Sequence, residues 1–177
     1  RIMFLLRSNP CLSGCRYCNQ ALDVNRGLKR YFGFDSYRTY AGEPLQESAV
    51  KAAVDNKSLL AVFPTGSGKS ITFQVPALMA GENAKGLTVV ISPLQSLMKD
   101  QVESLVARGI PAARIDSSLT AAEVVGVFDA MRNGTLKLLY IAPERLMSES
   151  FMERLGRTNI SLMAIDESHC ISEWGHN

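Results

Sequence analysis

The chain has 177 residues, of which 46% are hydrophobic and 20% charged, and its formal net charge is +2. This composition is typical of one globular domain and excludes a disordered or fibrous chain. The net charge is too small to indicate nucleic-acid binding by itself, so that function must rest on local residues. No apolar run approaches the ~18 residues of a membrane span, and we expect neither a membrane segment nor a signal peptide.

Residues 1–27 differ from the rest and are expected to form a small separate element, followed by one domain over 28–177. The element contains three of the four cysteines, Cys11, Cys15 and Cys18, in the segment "CLSGCRYC". Their C-x₃-C-x₂-C spacing allows three interpretations. It is compatible with a zinc or iron–sulfur site whose fourth ligand precedes Arg1, with a motif resembling the radical-SAM cluster motif, or with three thiols that bind nothing. A reducing compartment is expected, because the chain does not resemble a secreted disulfide framework.

After residue 28, helix-like and strand-like stretches alternate along the chain. The hydrophobic periodicity predicts helices over 44–57, 69–80, 94–109, 117–134 and 148–157. The fourth of these helices has a predicted capping box formed by Thr120 and Glu123. Short apolar runs predict a buried strand over 59–63 and further strands over 87–92, 136–142 and 160–166. Strands without period-two alternation, separated by helices, predict an α/β fold with a mainly parallel sheet covered by helices on both faces.

The segment "PTGSGKS" (64–70) is typical of a phosphate-binding loop between a strand and a helix. Glycines 66 and 68 allow backbone N–H groups to face a phosphate, and Lys69 and Ser70 open the following helix. Position 63, where the strict pattern has its first glycine, is Phe63; the N–H groups that bind phosphate come later in the loop. The alternative is a Gly-Ser turn before a helix with a surface lysine.

A second signal is the segment "MAIDESH" (163–169), in which an apolar strand ends at Asp166 and Glu167. Adjacent carboxylates at a buried strand end are costly unless a metal ion or a catalytic role compensates them. In a nucleotide site the first carboxylate orients Mg²⁺ and the second polarises the attacking water. The alternative is a solvated strand end without a catalytic role.

Taken together, these segments resemble the motor domain of superfamily-2 helicases, and most closely the RecQ family. The resemblance extends over "YFGFDSYR" (31–38) with Gln46, "PTGSGKS", "SPLQSLMKDQ" (92–101), "YIAPERL" (140–146), "DESHC" (166–170) and "ISEWGH" (171–176). A DEAD-box RNA helicase would have Asp-Glu-Ala-Asp where this chain has "DESH" (166–169). An insertion, "TYAGEPL" (39–45), separates Arg38 from Gln46, and Ser168 stands where alanine is common.

The resemblance implies a RecA-like fold and a role for each motif residue. Adenine recognition is implied for Arg38 and Gln46, and phosphate binding for Thr65, Gly66, Ser67, Gly68 and Lys69. Mg²⁺ would be held by Ser70 and Asp166, Glu167 would act as the base on water, and Lys69, Asp166 and Glu167 would form the catalytic set. Contact with DNA, or its coupling to ATP, is implied for Ser92, Pro93, Pro143, Glu144, Arg145, His169 and Trp174.

The resemblance also implies ATP and Mg²⁺ as cofactors, and single-stranded or forked DNA as the partner, with 3′–5′ movement and roles in DNA repair and recombination. The strand that normally lies between the two nucleotide-binding strands, and the second RecA-like domain, are not in the sequence. We therefore expect a piece of a longer helicase that is inactive in isolation. Its location would be cytoplasmic, at the nucleoid, in a bacterium and nuclear in a eukaryote. The alternative is a nucleotide- and nucleic-acid-binding module without unwinding activity.

Overall fold

A computed structural model describes residues 10–64, 66–83 and 86–173. The chain divides into two compact units, residues Arg1–Ala84 and Lys85–Asn177. The first unit is helical and contains the phosphate-loop segment. The second contains a parallel sheet with helices on both faces, which confirms the predicted α/β class. Among the described residues, no helix combines the length and apolar character needed to cross a bilayer.

The described residues of the first unit form four helices, α1 (Arg16–Ala21), α2 (Val24–Phe32), α3 (Leu45–Val54) and α4 (Ile71–Asn83). Helices α2, α3 and α4 pack against one another, and Leu28, Val50 and Val75 are fully buried in their core. Only α3 and α4 were predicted, since the sequence before residue 28 has no clear helical period.

Helix α2 runs across Gly27, where the sequence suggested a domain boundary. The side chain of Asp23 caps the helix by accepting hydrogen bonds from two backbone N–H groups of its first turn, and Gly33, at φ 73°, ends it. A Cβ at Gly27 would lie 2.9 Å from Sδ of Met79, so the glycine allows α2 to approach α4 closely. The residues on both sides of the suggested boundary therefore lie in one packed helix.

The prediction of a buried strand over 59–63 was wrong. These residues form no strand, and Leu60 and Val62 are 80% and 81% exposed. A strand requires a hydrogen-bonding neighbour, and the described residues of this unit contain no other strand. The apolar run therefore has residue types that favour a strand, but no neighbouring strand among the described residues of this unit supplies the backbone hydrogen bonds.

The second unit is built on four parallel strands in the order β2-β3-β1-β4. The strands are β1 (Leu87–Ile91), β2 (Ala112–Ile115), β3 (Leu138–Ile141) and β4 (Ile160–Ile165). Strands β1, β3 and β4 were predicted. Strand β2, with the sequence "AARI", was missed because it is short and lacks a run of large apolar residues.

Helices pack on both faces of this sheet, as predicted, although Met163 and Ile165 of the edge strand β4 are 50% and 47% exposed. Its helices are α5 (Gln95–Ala107), α6 (Ala121–Arg132) and α7 (Glu149–Gly156), with 3₁₀ turns at Pro143–Met147 and Ser168–Glu173. Val89 and Ile141 point to the face that packs against Met131 of α6 and Phe151 of α7. On the opposite face, Tyr140 bonds to Gln101 of α5. The predicted capping box of α6, between Thr120 and Glu123, is confirmed.

Candidate nucleotide site and helicase motifs

The phosphate loop leads directly into a long helix. Gly66 and Gly68 both adopt left-handed backbone conformations, at φ 72° and 81°, and α4 begins immediately after Ser70. Such conformations strain any residue with a Cβ, which explains the two glycines. The N-terminus of a helix attracts anions through its unpaired N–H groups and its dipole. The two glycines and the start of α4 at Ile71 are compatible with a phosphate-binding loop, and phosphate binding stays a prediction. Thr65 lies outside the described residues.

Two side chains from the segment before α4 hold the loop by its backbone. Nη1 of Arg38 donates to the carbonyl of Ser67 at 3.2 Å, and Nε2 of Gln46 donates to the carbonyl of Gly68 at 3.0 Å. Oε1 of Gln46 accepts from the backbone N–H of Arg38 at 2.9 Å, which links the two residues. Gln46 is only 3% exposed. The two residues expected at adenine are thus brought together at the loop itself.

The insertion between Arg38 and Gln46 folds into a tight hairpin. Tyr40 and Glu43 exchange two backbone hydrogen bonds of 2.9 Å, while Ala41 and Gly42 both have positive φ, as a type I′ turn requires. The extra residues therefore form a local turn, and Arg38 and Gln46 remain hydrogen-bonded to each other.

Tyr40 is a loop contact that the sequence interpretation missed. Its hydroxyl donates to the carbonyl of Ser67 at 2.8 Å, and its ring lies 5.1 Å from the ring of Phe63. Because Tyr40 lies in the insertion, no motif pointed to it. The only signal was an aromatic residue two positions after Arg38.

In the second unit, the carboxylate pair follows directly after β4. Asp166 is 4% exposed, and its backbone N–H donates to the carbonyl of Ile91 at 2.9 Å, which ties it to the end of β1. Oδ1 of Asp166 accepts from the backbone N–H of Glu167 at 3.0 Å. Glu167 has φ 52°, an uncommon conformation for a residue with a side chain, and such outliers concentrate at functional sites.

Two further residues organise this carboxylate pair. Nε2 of Gln101, on α5, lies 3.4 Å from Oδ2 of Asp166, and Oε1 of Gln101 accepts from the hydroxyl of Tyr140 at 2.9 Å. Nδ1 of His169 lies 3.5 Å from a carboxylate oxygen of Glu167. The sequence interpretation assigned no role to Gln101 or Tyr140, although both lie inside segments that it had singled out.

Comparison with known proteins identifies the arrangement. A family model described as DEAD/DEAH box helicase matches residues 43–177, which include the phosphate loop and the carboxylate pair. The chain belongs to the DEAD/DEAH box helicase family.

Within this helicase family the relatives are of RecQ type, which confirms the resemblance seen in the motifs. The chain is 46% identical to the ATP-dependent DNA helicase RecQ of Pasteurella multocida, over 89% of this chain and 23% of that protein. It is 44% identical to the RecQ helicase of Bacillus subtilis, over 85% of this chain and 24% of that protein. It is 40% identical to the ATP-dependent DNA helicase Q5 of Rattus norvegicus, over 87% of this chain and 16% of that protein. The chain thus spans about a quarter or less of the length of these helicases.

The other helicase-motif residues of this unit follow the ends of parallel strands, and carboxyl ends of parallel strands share one edge of a sheet. Ser92 and Pro93 follow β1, and Pro143, Glu144 and Arg145 follow β3. Ser92 is 1% exposed, with its hydroxyl in the interior and its N–H bonded to the carbonyl of Ile141. DNA contact by these residues remains a prediction, and Trp174 lies outside the described residues.

Arg145 is held by a buried aspartate at the end of β2. Nη2 of Arg145 donates to the carbonyl of Asp116 at 3.1 Å, while the carboxylate of Asp116 binds Arg114 and the N–H of Ser118. Burial raises the pKa of Asp116, but the hydrogen bonds from Ser118 and Arg114 outweigh burial and leave the pKa below its ordinary value. Sequence reading missed this cluster, because the segment "RIDSS" matches none of the motifs.

The three N-terminal cysteines also come together. Their sulfur atoms all lie within 4.8 Å of one another, and none of the three forms a disulfide. Hydrogen bonds with Cys15 and then Cys18 raise the pKa of Cys11 to about 11, whereas the backbone N–H of Cys18 lowers the pKa of Cys15.

Proposed function

We propose that the chain carries the ATP-binding part of a RecQ-type DNA helicase, which couples ATP hydrolysis to movement on single-stranded or forked DNA. The observation that carries the proposal is the grip of Arg38 and Gln46 on the carbonyls of Ser67 and Gly68. A Gly-Ser turn without a ligand has no need of two outside side chains that set its backbone. The names of the RecQ relatives, each an ATP-dependent DNA helicase, support the same activity.

The donor groups suit a magnesium nucleotide. Mg²⁺ prefers oxygen ligands, and the proposed ligands are the hydroxyl of Ser70 and the carboxylate of Asp166. Such an ion would supply positive charge that offsets the negative charge of the phosphates. Lys69 and the loop N–H groups would hold the phosphates. Arg38 and Gln46 set the loop through its carbonyls and are the proposed adenine contacts.

Glu167 is the proposed base for the attacking water. Its carboxylate is 20% exposed and is held next to His169, in a backbone conformation imposed by the turn after β4. A base fixed by its backbone needs little reorganisation to orient a water molecule. His169, together with Trp174 and the residues after β1 and β3, is proposed to couple this step to the DNA strand.

We propose further that the full-length protein contains a second RecA-like domain, moves 3′–5′, and acts in DNA repair and recombination. Its location is then that of the DNA, the nucleoid region of a bacterium or the nucleus of a eukaryote. A metal bound by the thiolates of Cys11, Cys15 and Cys18 is proposed as an additional cofactor, with a zinc ion and an iron–sulfur cluster as the two candidates.

The test uses the full-length protein and compares Lys69→Ala and Glu167→Gln with Lys57→Ala, a control at an exposed lysine beside Asp55. Lys69→Ala should abolish ATP binding. Glu167→Gln should bind ATP normally and lose at least about 100-fold in DNA-stimulated hydrolysis, the usual share of a general base. Unchanged turnover in Glu167→Gln would remove Glu167 from the base role.

A second assay on the same proteins distinguishes the helicase from the alternative, a nucleotide-binding module without unwinding activity. Strand separation of a forked duplex with ATP, absent in Glu167→Gln, supports the helicase. ATP-dependent DNA binding by the wild type without strand separation would favour the module.

A further inference from the structure

The segment before α2 folds its three cysteines onto one point. The carbonyl of Leu12 accepts from the N–H of Cys15 at 3.1 Å, which closes a tight turn in which Gly14 adopts φ 79°. Helix α1 starts directly after Cys15 and carries Cys18 back towards Cys11. The turn, and not a long-range contact, therefore sets the positions of the sulfur atoms.

The sulfur spacing distinguishes a single ion from a cluster. A tetrahedral zinc ion with Zn–S bonds of about 2.3 Å places its sulfur ligands about 3.8 Å apart. Here Sγ of Cys11 and Sγ of Cys18 are 3.4 Å apart, and all three sulfurs lie within 4.8 Å of one another. In an iron–sulfur cubane each thiolate binds a different iron, so its thiolates lie on different corners and much farther apart. The observed spacing fits one ion.

The surroundings favour thiolates that bind an ion over thiols that pack in a core. Cys11 is exposed, and Leu12 and Tyr17 beside it are 74% and 61% exposed, so the cysteines do not fill an apolar interior. The backbone N–H of Cys11 points at Sγ of Cys18 at 3.4 Å. A hydrogen bond of this kind stabilises negative charge on sulfur, which a metal ligand carries.

We propose that Cys11, Cys15 and Cys18 bind one divalent ion of the zinc type as a structural site. Among the described residues, no fourth Cys, His, Asp or Glu joins the three sulfurs. The fourth position is therefore open to water or to a ligand outside the described residues. The ion would fix the turn that leads into α1, a segment too small to be held by a core of its own.

The experiment measures metal content and Co²⁺ absorption on the full-length protein, purified under reducing conditions. The wild type should contain one more equivalent of zinc than Cys15→Ser, and Cys170→Ser, which alters a thiol outside the cluster, should match the wild type. Co²⁺ should give tetrahedral and thiolate charge-transfer bands that Cys15→Ser loses. The intensity of the charge-transfer bands distinguishes three thiolate ligands from four.

A conservative variant keeps the test independent of folding. Cys11→His retains a zinc-binding donor at an exposed position, so it should keep zinc, with weaker charge-transfer absorption of Co²⁺. Equal zinc in the wild type and Cys15→Ser would overturn the proposal, as would iron with acid-labile sulfide in place of zinc. Both readouts are independent of ATP hydrolysis, so a failure here is distinct from a failure of the helicase proposal.

Discussion

Gln101 on α5 aims its Nε2 at Oδ2 of Asp166, with 3.4 Å between the two atoms. The other end of the same amide accepts a hydrogen bond from Tyr140 in the sheet, so the direction of the amide is set by the fold. Helix α5, which follows the proposed DNA contacts Ser92 and Pro93, thereby contacts the carboxylate proposed to hold Mg²⁺.

We predict that Gln101→Met lowers ATP turnover of the full-length protein by about tenfold and raises the Mg²⁺ concentration for half-maximal rate. A hydrogen bond to a charged group contributes about 1.5–3 kcal/mol, enough for such a change. Gln95→Met, on the same helix but bonded to Ser117, is the matched control and should keep both values. Tyr140→Phe should shift both values in the same direction, and combining it with Gln101→Met should add little.

The second prediction separates two roles of Gln46. If Gln46 acts through its hydrogen bond to the carbonyl of Gly68, Gln46→Glu places a carboxylate against that carbonyl and distorts the loop. Affinity for ATP and for inorganic tripolyphosphate should then both fall, by about tenfold or more. Calorimetric titration with the two ligands provides the measurement. Loss of ATP affinity with unchanged tripolyphosphate affinity would restrict Gln46 to adenine recognition.

Asp116 is predicted to make folding sensitive to acid. Because its pKa is lower in the folded chain than the ordinary value of about 3.9, its stabilisation is present above that value and is lost as pH falls towards the folded pKa. Asp116→Asn should cost about 2–3 kcal/mol at pH 7, since an amide N–H₂ would then face Arg114. The difference from wild type should shrink below about pH 4 in denaturant titrations. Asp129→Asn, which alters an exposed ion pair, should change little at either pH.

Two glycines are predicted to respond in opposite directions to the same substitution. The pairing of β1 with β4 is irregular at Leu87, and Ser161 there lies so close to Gly86 that a Cβ would be 2.4 Å from Cβ of Ser161. Gly86→Ala should therefore cost about 1–3 kcal/mol of unfolding free energy, and adding Ser161→Gly should recover most of it. Gly126→Ala, inside α6 with open space around it, should stabilise by about 0.5–1 kcal/mol. Equal changes in unfolding free energy for Gly86→Ala and Gly126→Ala would contradict the predicted clash between a Cβ at position 86 and Ser161.

Local interactions were readable from the sequence by itself. The capping box at Thr120, the two glycines of the phosphate loop and the carboxylates after β4 all depend on residues within a few positions of one another. For the same reason, the helices with a clear period were predicted close to their observed bounds. The residue types of the phosphate loop and the carboxylate pair were enough to indicate nucleotide chemistry. The order of the motifs along the chain indicated the RecQ family.

Only the tertiary structure decided what distant residues do to one another. Residues 59–63 have the composition of a strand, yet a strand forms only where another chain segment offers its backbone groups. Residues far apart in sequence are likewise joined by the hydrogen bond from Tyr40 to the carbonyl of Ser67 and by that from Gln101 to Asp166. Their geometry depends on the packing of whole helices and strands, which no short window of sequence contains.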